Sequence, residues 1–236
     1  MRLAAVCLRG PVLAGRSVVD VETTFGDRTA VGAQKGKGWN GGRSLRVASA
    51  TDVAALADAL AEAFSDDPIQ VWLFPDPETR RRMLRRIFRI DLTHRLVPLG
   101  HTFTDVDRNA AAAWSPPGRC WPTLRDELRM LPSYLRIGRR IPAGARLFAA
   151  MSSAHPDTPH WHLSHLGVRP SHQGRGLGAA LVERGLELAD ADGLPAYLES
   201  SKEENVPFYG RFGFEVVEVL EVAGAPPMFC MWREAG

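Results

Sequence analysis

The stretch RPSHQGRGLGAALVERG, residues 169–185, places glycines at 174, 176 and 178 immediately before an apolar run with helical period. Glycine admits backbone conformations closed to other residues and lets main-chain N–H groups approach a ligand with no Cβ between them. The first turn of a helix adds N–H groups without intrahelical partners and the positive end of the helix dipole. A loop of this kind is therefore built for a phosphate-bearing ligand, whether a nucleotide, a dinucleotide or coenzyme A.

Two of these ligands fit poorly. Gly174, Gly176 and Ala179 satisfy a loose G-x-G-x-x-A, and Glu199 stands where a ribose-binding acid would be expected. A dinucleotide loop follows its strand at once, however, whereas Arg169 to Gln173 intervene here between Val168 and Gly174. Only about one further strand–helix unit follows, too little for a doubly wound sheet. A nucleoside-triphosphate loop would need Gly-Lys-Ser/Thr, which is absent.

At 236 residues the chain can bury a sizeable core, and its 45% hydrophobic and 24% charged residues are ordinary for a globular protein. The net charge of +2 gives no electrostatic case for nucleic-acid binding, although only Lys35, Lys37 and Lys202 among the 29 basic residues are lysines. Cys7, Cys120 and Cys230 lie far apart with no paired spacing, so neither a disulfide framework nor a metal site is expected, and a reducing cytoplasm is the default. No apolar run approaches the ~18 residues of a membrane span.

Residues 1–43, rich in Gly and polar residues without period, read as a flexible extension, and residues 44–236 as one domain. Leu45 to Ala48 suits a short strand, and Thr51 a helix cap. Val53, Leu56, Leu60 and Phe64 form one helical stripe. A second helix is expected over Glu78 to about Leu96. Its arginines at 80, 81, 82, 85, 86 and 89 read as a solvated face opposite Met83, Leu84, Ile87 and Phe88. HTFTDV and AAAWSP form a hairpin around DRNA, and residues 123–151 are helical with breaks near Pro132, Gly138 and Pro142. HWHLSHLGV is a strand, followed by the glycine loop and its helix. PAYLES is a further strand, residues 203–211 a helix, and FEVVEVL and MFCMW the closing strands.

LGVRPSHQGRGLG resembles the cofactor motif of the GNAT superfamily of acetyl-CoA-dependent N-acetyltransferases, and ENVPFYGRFGFE resembles that family's second signature. Over about residues 45–234 the resemblance implies an α/β (α+β) fold. Its central sheet is mixed, mostly antiparallel and twisted, with six or seven strands flanked by helices and two parallel strands splayed at the cofactor site. It implies acetyl-CoA as cosubstrate, no metal, and a small-molecule primary amine as acceptor, such as an aminonucleoside or an aromatic amine. A protein lysine or N-terminus, or a non-catalytic acetyl-CoA sensor, is the alternative.

Carried over by motif, the cofactor would be held by Leu166, Gly167 and Val168, by Gln173, Gly174, Arg175, Gly176, Leu177, Gly178 and Ala179, and by Asn205, whose other role would be helix capping. Val168 N–H would face the thioester carbonyl. Tyr209 would protonate the departing thiolate. His162 aligns with one of the paired proton-relaying histidines of arylalkylamine acetyltransferases, the other position being Ser164 here, and Glu199 is the rival base. Strand alternation puts His160, His162 and Ser164 on one face, and Trp161, Leu163 and His165 on the other. Phe64, Trp72, Phe74, Trp114 and Tyr134 are candidates for an aromatic acceptor pocket.

Overall fold

The computed structural model describes residues 45–236, and the extension expected at 1–43 lies outside them. Seven strands form one sheet in the order β1-β2-β3-β4-β5-β7-β6. They are β1 (Leu45–Val47), β2 (Thr102–Asp105), β3 (Ala110–Ser115), β4 (Trp161–Val168), β5 (Ala196–Ser200), β6 (Glu215–Leu220) and β7 (Met228–Arg233). Every neighbouring pair is antiparallel except β4 with β5.

The helices α1 (Val53–Ala63), α2 (Pro68–Leu73), α3 (Pro77–Asp91), α4 (Leu124–Tyr134) and α5 (Ile141–Ala154) precede β4. α6 (Leu177–Asp192) joins β4 to β5, and the short α7 (Val206–Gly210) follows β5. α6 covers one face of the sheet by burying Leu177, Leu181, Val182, Leu186 and Ala189 against Trp114, Trp161 and Leu163. On the other face Leu56 and Leu60 of α1 and Leu84 and Phe88 of α3 pack on Ala111 and Ala113. Ile69 of α2 and Leu147 of α5 cover Tyr197 and Cys230 beside them.

Local chemistry sets the helix boundaries. Asp67 and Asp76 accept the N–H of Gln70 and Thr79 at the starts of α2 and α3, each followed by a proline that suits a first helical position. The cap before α1 is Ser49 rather than Thr51: Ser49 and Asp52 form a reciprocal capping box one short 3₁₀ turn upstream. Asp52 is favoured there because Arg46 of β1 clamps both its oxygens at 2.7 and 2.8 Å. α3 continues through Leu92–Leu96 as one π-helical turn. Arg81, Arg82, Arg85, Arg86 and Arg89 are exposed and Arg85 pairs with Asp58, as a solvated face requires. Pro132 lies in the last turn of α4 without ending it, since the missing N–H there costs a single bond. The chain breaks instead at Gly138, with φ 64° and ψ −127°.

Candidate active site

The parallel pairing of β4 with β5 consists of Trp161 with Ala196 and His162 with Tyr197. Beyond His162 the two strands separate, and the outer half of β4 stays paired with β3 alone. The register of β3 on β4 slips at this point: Ala113 faces His165 and Trp114 faces Leu163, which leaves Ser164 as a bulge.

The bulge corrects the simple alternation, because an extra residue restarts the inward–outward count. Trp161 and Leu163 lie under α6, and so do Leu166 and Val168 after the bulge. His165 is turned to the opposite face, where its ring meets Phe64 and Phe88 and its Nε2 lies 2.8 Å from Asp91 Oδ2. Burial alone would raise the Asp91 carboxyl, but His165 and Arg95 hold it well below the usual range. Ser164 Oγ lies 2.9 Å from Ser115 Oγ, and Arg95 reaches both Ser115 Oγ and the Cys120 carbonyl.

Main-chain groups line the opening between the strands. Arg169 N donates to Asn109 O of the β3 side, so by alternation Val168 and Leu166 turn their N–H and C=O groups toward the splay. Gln173 Nε2 donates to Val168 O at 3.0 Å, and an Arg175 guanidinium nitrogen donates to Ser171 O at 3.1 Å. These two side chains thus brace the loop and leave its outward N–H groups to a ligand. Gly174 and Gly176 have φ of 75° and 80°. The first bond of α6 is Ala180 N to Gly176 O, so the N–H groups of Leu177, Gly178 and Ala179 have no intrahelical acceptor. A Cβ on Gly178 would touch Val168 and Phe208, which sets α7 beside the opening. Gly167 faces α1, where a Cβ would fall 2.7 Å from Leu60 Cδ2.

Tyr209 is buried in α7 against Phe208 and Phe214, and burial raises its phenol, keeping it protonated. Asn205 precedes α7 without a side-chain capping bond, so the capping role is not what its amide performs.

His162 points to the face opposite α6, where His162 Nε2 lies 2.8 Å from Glu199 Oε2 of β5. Burial opposes charge on both, yet their mutual attraction prevails: His162 rises to about 9 and Glu199 falls to about 2. His155 from the end of α5 brings Nδ1 to 3.7 Å from Glu199 Oε1. His160 and Tyr197 stack around His155 at centroid distances of 4.8 and 5.0 Å, and Trp121 closes its other side at 4.8 Å. Cys120 completes the group. Burial would raise its thiol, but His155, His160 and His162 bring it down to about 4.

Cys120, Trp121, His155 and Tyr197 were invisible as site residues in the sequence. The alternation of His160 and His162 along one strand and the acid at Glu199 were the signals for the group. Of the aromatic candidates, Trp114 lies under α6 on the far side of the sheet. Phe64 packs with Phe88 on the α1 side, Trp72 joins the cluster around Tyr197, and Phe74 is in the core. Tyr134 is 40% exposed.

Residues 106–214, from the β2–β3 turn to the residue before β6, match the model of the acetyltransferase (GNAT) family. An uncharacterized N-acetyltransferase of Schizosaccharomyces pombe is 28% identical over 180 residues, covering 70% of this chain and 71% of that protein. Over these residues the chain is similar in sequence to acetyltransferases of the GNAT family and to an N-acetyltransferase. The fold agrees. A structure described as histone acetyltransferase HPA2 and related acetyltransferase from Corynebacterium glutamicum superposes with TM-score 0.61 at 21% identity, over 82% of this chain and 97% of that one. Arylalkylamine N-acetyltransferase 2 of Aedes aegypti superposes with TM-score 0.56 at 12% identity, over 83% and 100%.

Proposed function

We propose that this enzyme moves an acetyl group directly from acetyl-CoA to the primary amine of a small molecule, an aminonucleoside or an aromatic amine. The observation that carries the reading is the splay: β4 leaves β5 at His162, and Leu166 and Val168 turn main-chain groups into the gap, where Gln173 already takes the Val168 carbonyl. An extended pantetheine arm fits such a gap as an added strand would. Its pyrophosphate would meet the N–H groups of residues 174–179 at the start of α6.

The His162–Glu199 pair takes the proton from the attacking amine: Glu199 holds the ring by Nε2, and because His162 is raised to about 9 its Nδ1 must first release its own proton, so the rate should climb as pH rises toward that value. Val168 N–H stabilises the tetrahedral oxyanion, a role suited to a fixed main-chain donor in a dry site. Tyr209, held protonated by burial, returns a proton to the departing thiolate. Asn205 supports the pantetheine arm.

Two lines support a small acceptor. HQGRGLG, PAYLESS and NVPFYGRFGF resemble puromycin N-acetyltransferase. Proteins described as agmatine and arylalkylamine N-acetyltransferases share the fold. The test is release of coenzyme A thiol from acetyl-CoA across puromycin, arylalkylamines, aminoglycosides, polyamines and lysine peptides. Release with one amine, suppressed by Tyr209→Phe, is expected. Release with lysine peptides alone would reassign the acceptor, and silence across the panel with acetyl-CoA still raising the Tm would make the protein a cofactor-binding module.

A further inference from the structure

We infer that Cys120, His155 and His162 form a binding site for a thiophilic divalent cation, Zn²⁺, and that its occupancy switches the enzyme off. One ligand atom from each of the three residues lies within 4.8 Å of the other two. A cysteine sulfur with imidazole nitrogens is a donor set that zinc prefers.

The second observation is a group of polar atoms left over by the fold. His162 Nδ1, His155 Nδ1 and His160 Nε2 are buried with no hydrogen-bond partner among the described residues. The side chains of His155 and Glu199 are 7% and 8% exposed, and His160 is 3% exposed. Two of these rings are already oriented from behind. Glu199 Oε2 takes the Nε2 proton of His162, and Thr158 O takes the Nδ1 proton of His160. On the neutral ring the opposite nitrogen of each is an aimed lone pair, the arrangement in which a carboxylate or carbonyl fixes a metal-binding histidine, and for His162 the metal would displace the Nδ1 proton. Zinc at about 2.3 Å from sulfur and about 2.0–2.1 Å from nitrogen would draw the three donors together by roughly an ångström. Tyr197, Trp121 and Trp232 surround the cluster with rings, and the carboxylate against it is Glu199, whose Oε1 lies 3.7 Å from His155 Nδ1.

The regulatory half rests on the reading of His162 as the base, because zinc would occupy its Nδ1. The binding half does not, and is read without any turnover. Chelator-stripped, desalted full-length protein is titrated with Zn²⁺ by calorimetry and with Co²⁺ by absorbance. One equivalent is expected, with a thiolate-to-cobalt charge-transfer band that is lost in Cys120→Ser and kept in Cys7→Ser and Cys230→Ser. Glu199→Gln should weaken the affinity by about 10–100-fold. The cobalt spectra of the two control variants report on Cys120 even if Cys120→Ser fails to fold. No binding at submillimolar metal, or a band that follows Cys7 or Cys230, would overturn the site. Stoichiometric zinc that leaves amine-dependent coenzyme A release unchanged would overturn the switch while leaving the site in place. No turnover in metal-free protein would count against the acetyl-transfer reading alone.

Discussion

Glu199 Oε2 stands 2.8 Å from Nε2 of His162, a contact that ties β5 to β4 at the last residue pair before the strands part. The base candidate and the opening for the cofactor are therefore fixed by one structural feature. Removing either partner strands the other's charge in a buried site, where one lost partner costs more than the pair contributes. His162→Ala should lower kcat by roughly 10²–10⁴-fold, the usual value of acid–base assistance. Acetyl-CoA should still raise the Tm of the variant. Steady-state rates beside a thermal-shift titration check both, and an unaltered kcat would remove His162 from the chemistry.

Tyr209→Phe keeps the ring against Phe208 and Phe214 and deletes only the hydroxyl. The expected result is a kcat lowered by about 10²-fold or more with little change in acetyl-CoA affinity. Equal loss in affinity and rate would point to packing instead.

Gly176 has φ 80° at the start of α6, a conformation that costs a side chain about 1–2 kcal/mol. Gly176→Asp also sets a carboxylate against the expected pyrophosphate. Acetyl-CoA affinity should fall by more than about tenfold, or 1.4 kcal/mol, measured by calorimetry. Retained affinity would move the phosphate site elsewhere.

Gly185 of α6 sits on the indole of Trp114, and a Cβ there would lie 2.0 Å from the ring. Gly185→Ala should therefore destabilise the fold by about 1–3 kcal/mol through overpacking, despite alanine's better helix propensity. A lower Tm is the expected reading, and an unchanged or raised Tm would show that Trp114 can move.

Asp52 carries a pH dependence of known sign. The hydrogen bonds from Arg46 hold its carboxyl well below the usual carboxylate range, against the opposing effect of burial. A depressed folded value means that the contribution is complete above the unfolded value near ~3.9 and is lost as pH falls toward the folded one. Asp52→Asn should lower the Tm by a constant amount between pH 5 and 8, and the difference should shrink below about pH 4. A gap that stays constant to pH 2 would contradict the ion pair.

The glycine loop, the helix after it, the strand order of type and the hairpin were legible in the sequence because each is written in local spacing. Positive φ at Gly174 and Gly176, the α6 stripe and the period-two strands need no distant partner. The bulge at Ser164 was not legible, since it exists only in the register of β4 on β3, and it turned His165 from the Trp161 face to the Phe88 face. Nor was the gathering of Cys120 and His155 around His162. A loop after β3 supplies the cysteine and the end of α5 supplies the histidine, and no repeat or spacing encodes a meeting made by packing. Local conformational preferences act over a few residues and are fixed by the sequence; which side chains share a buried site is decided by long-range packing, which only the assembled sheet and its helices determine.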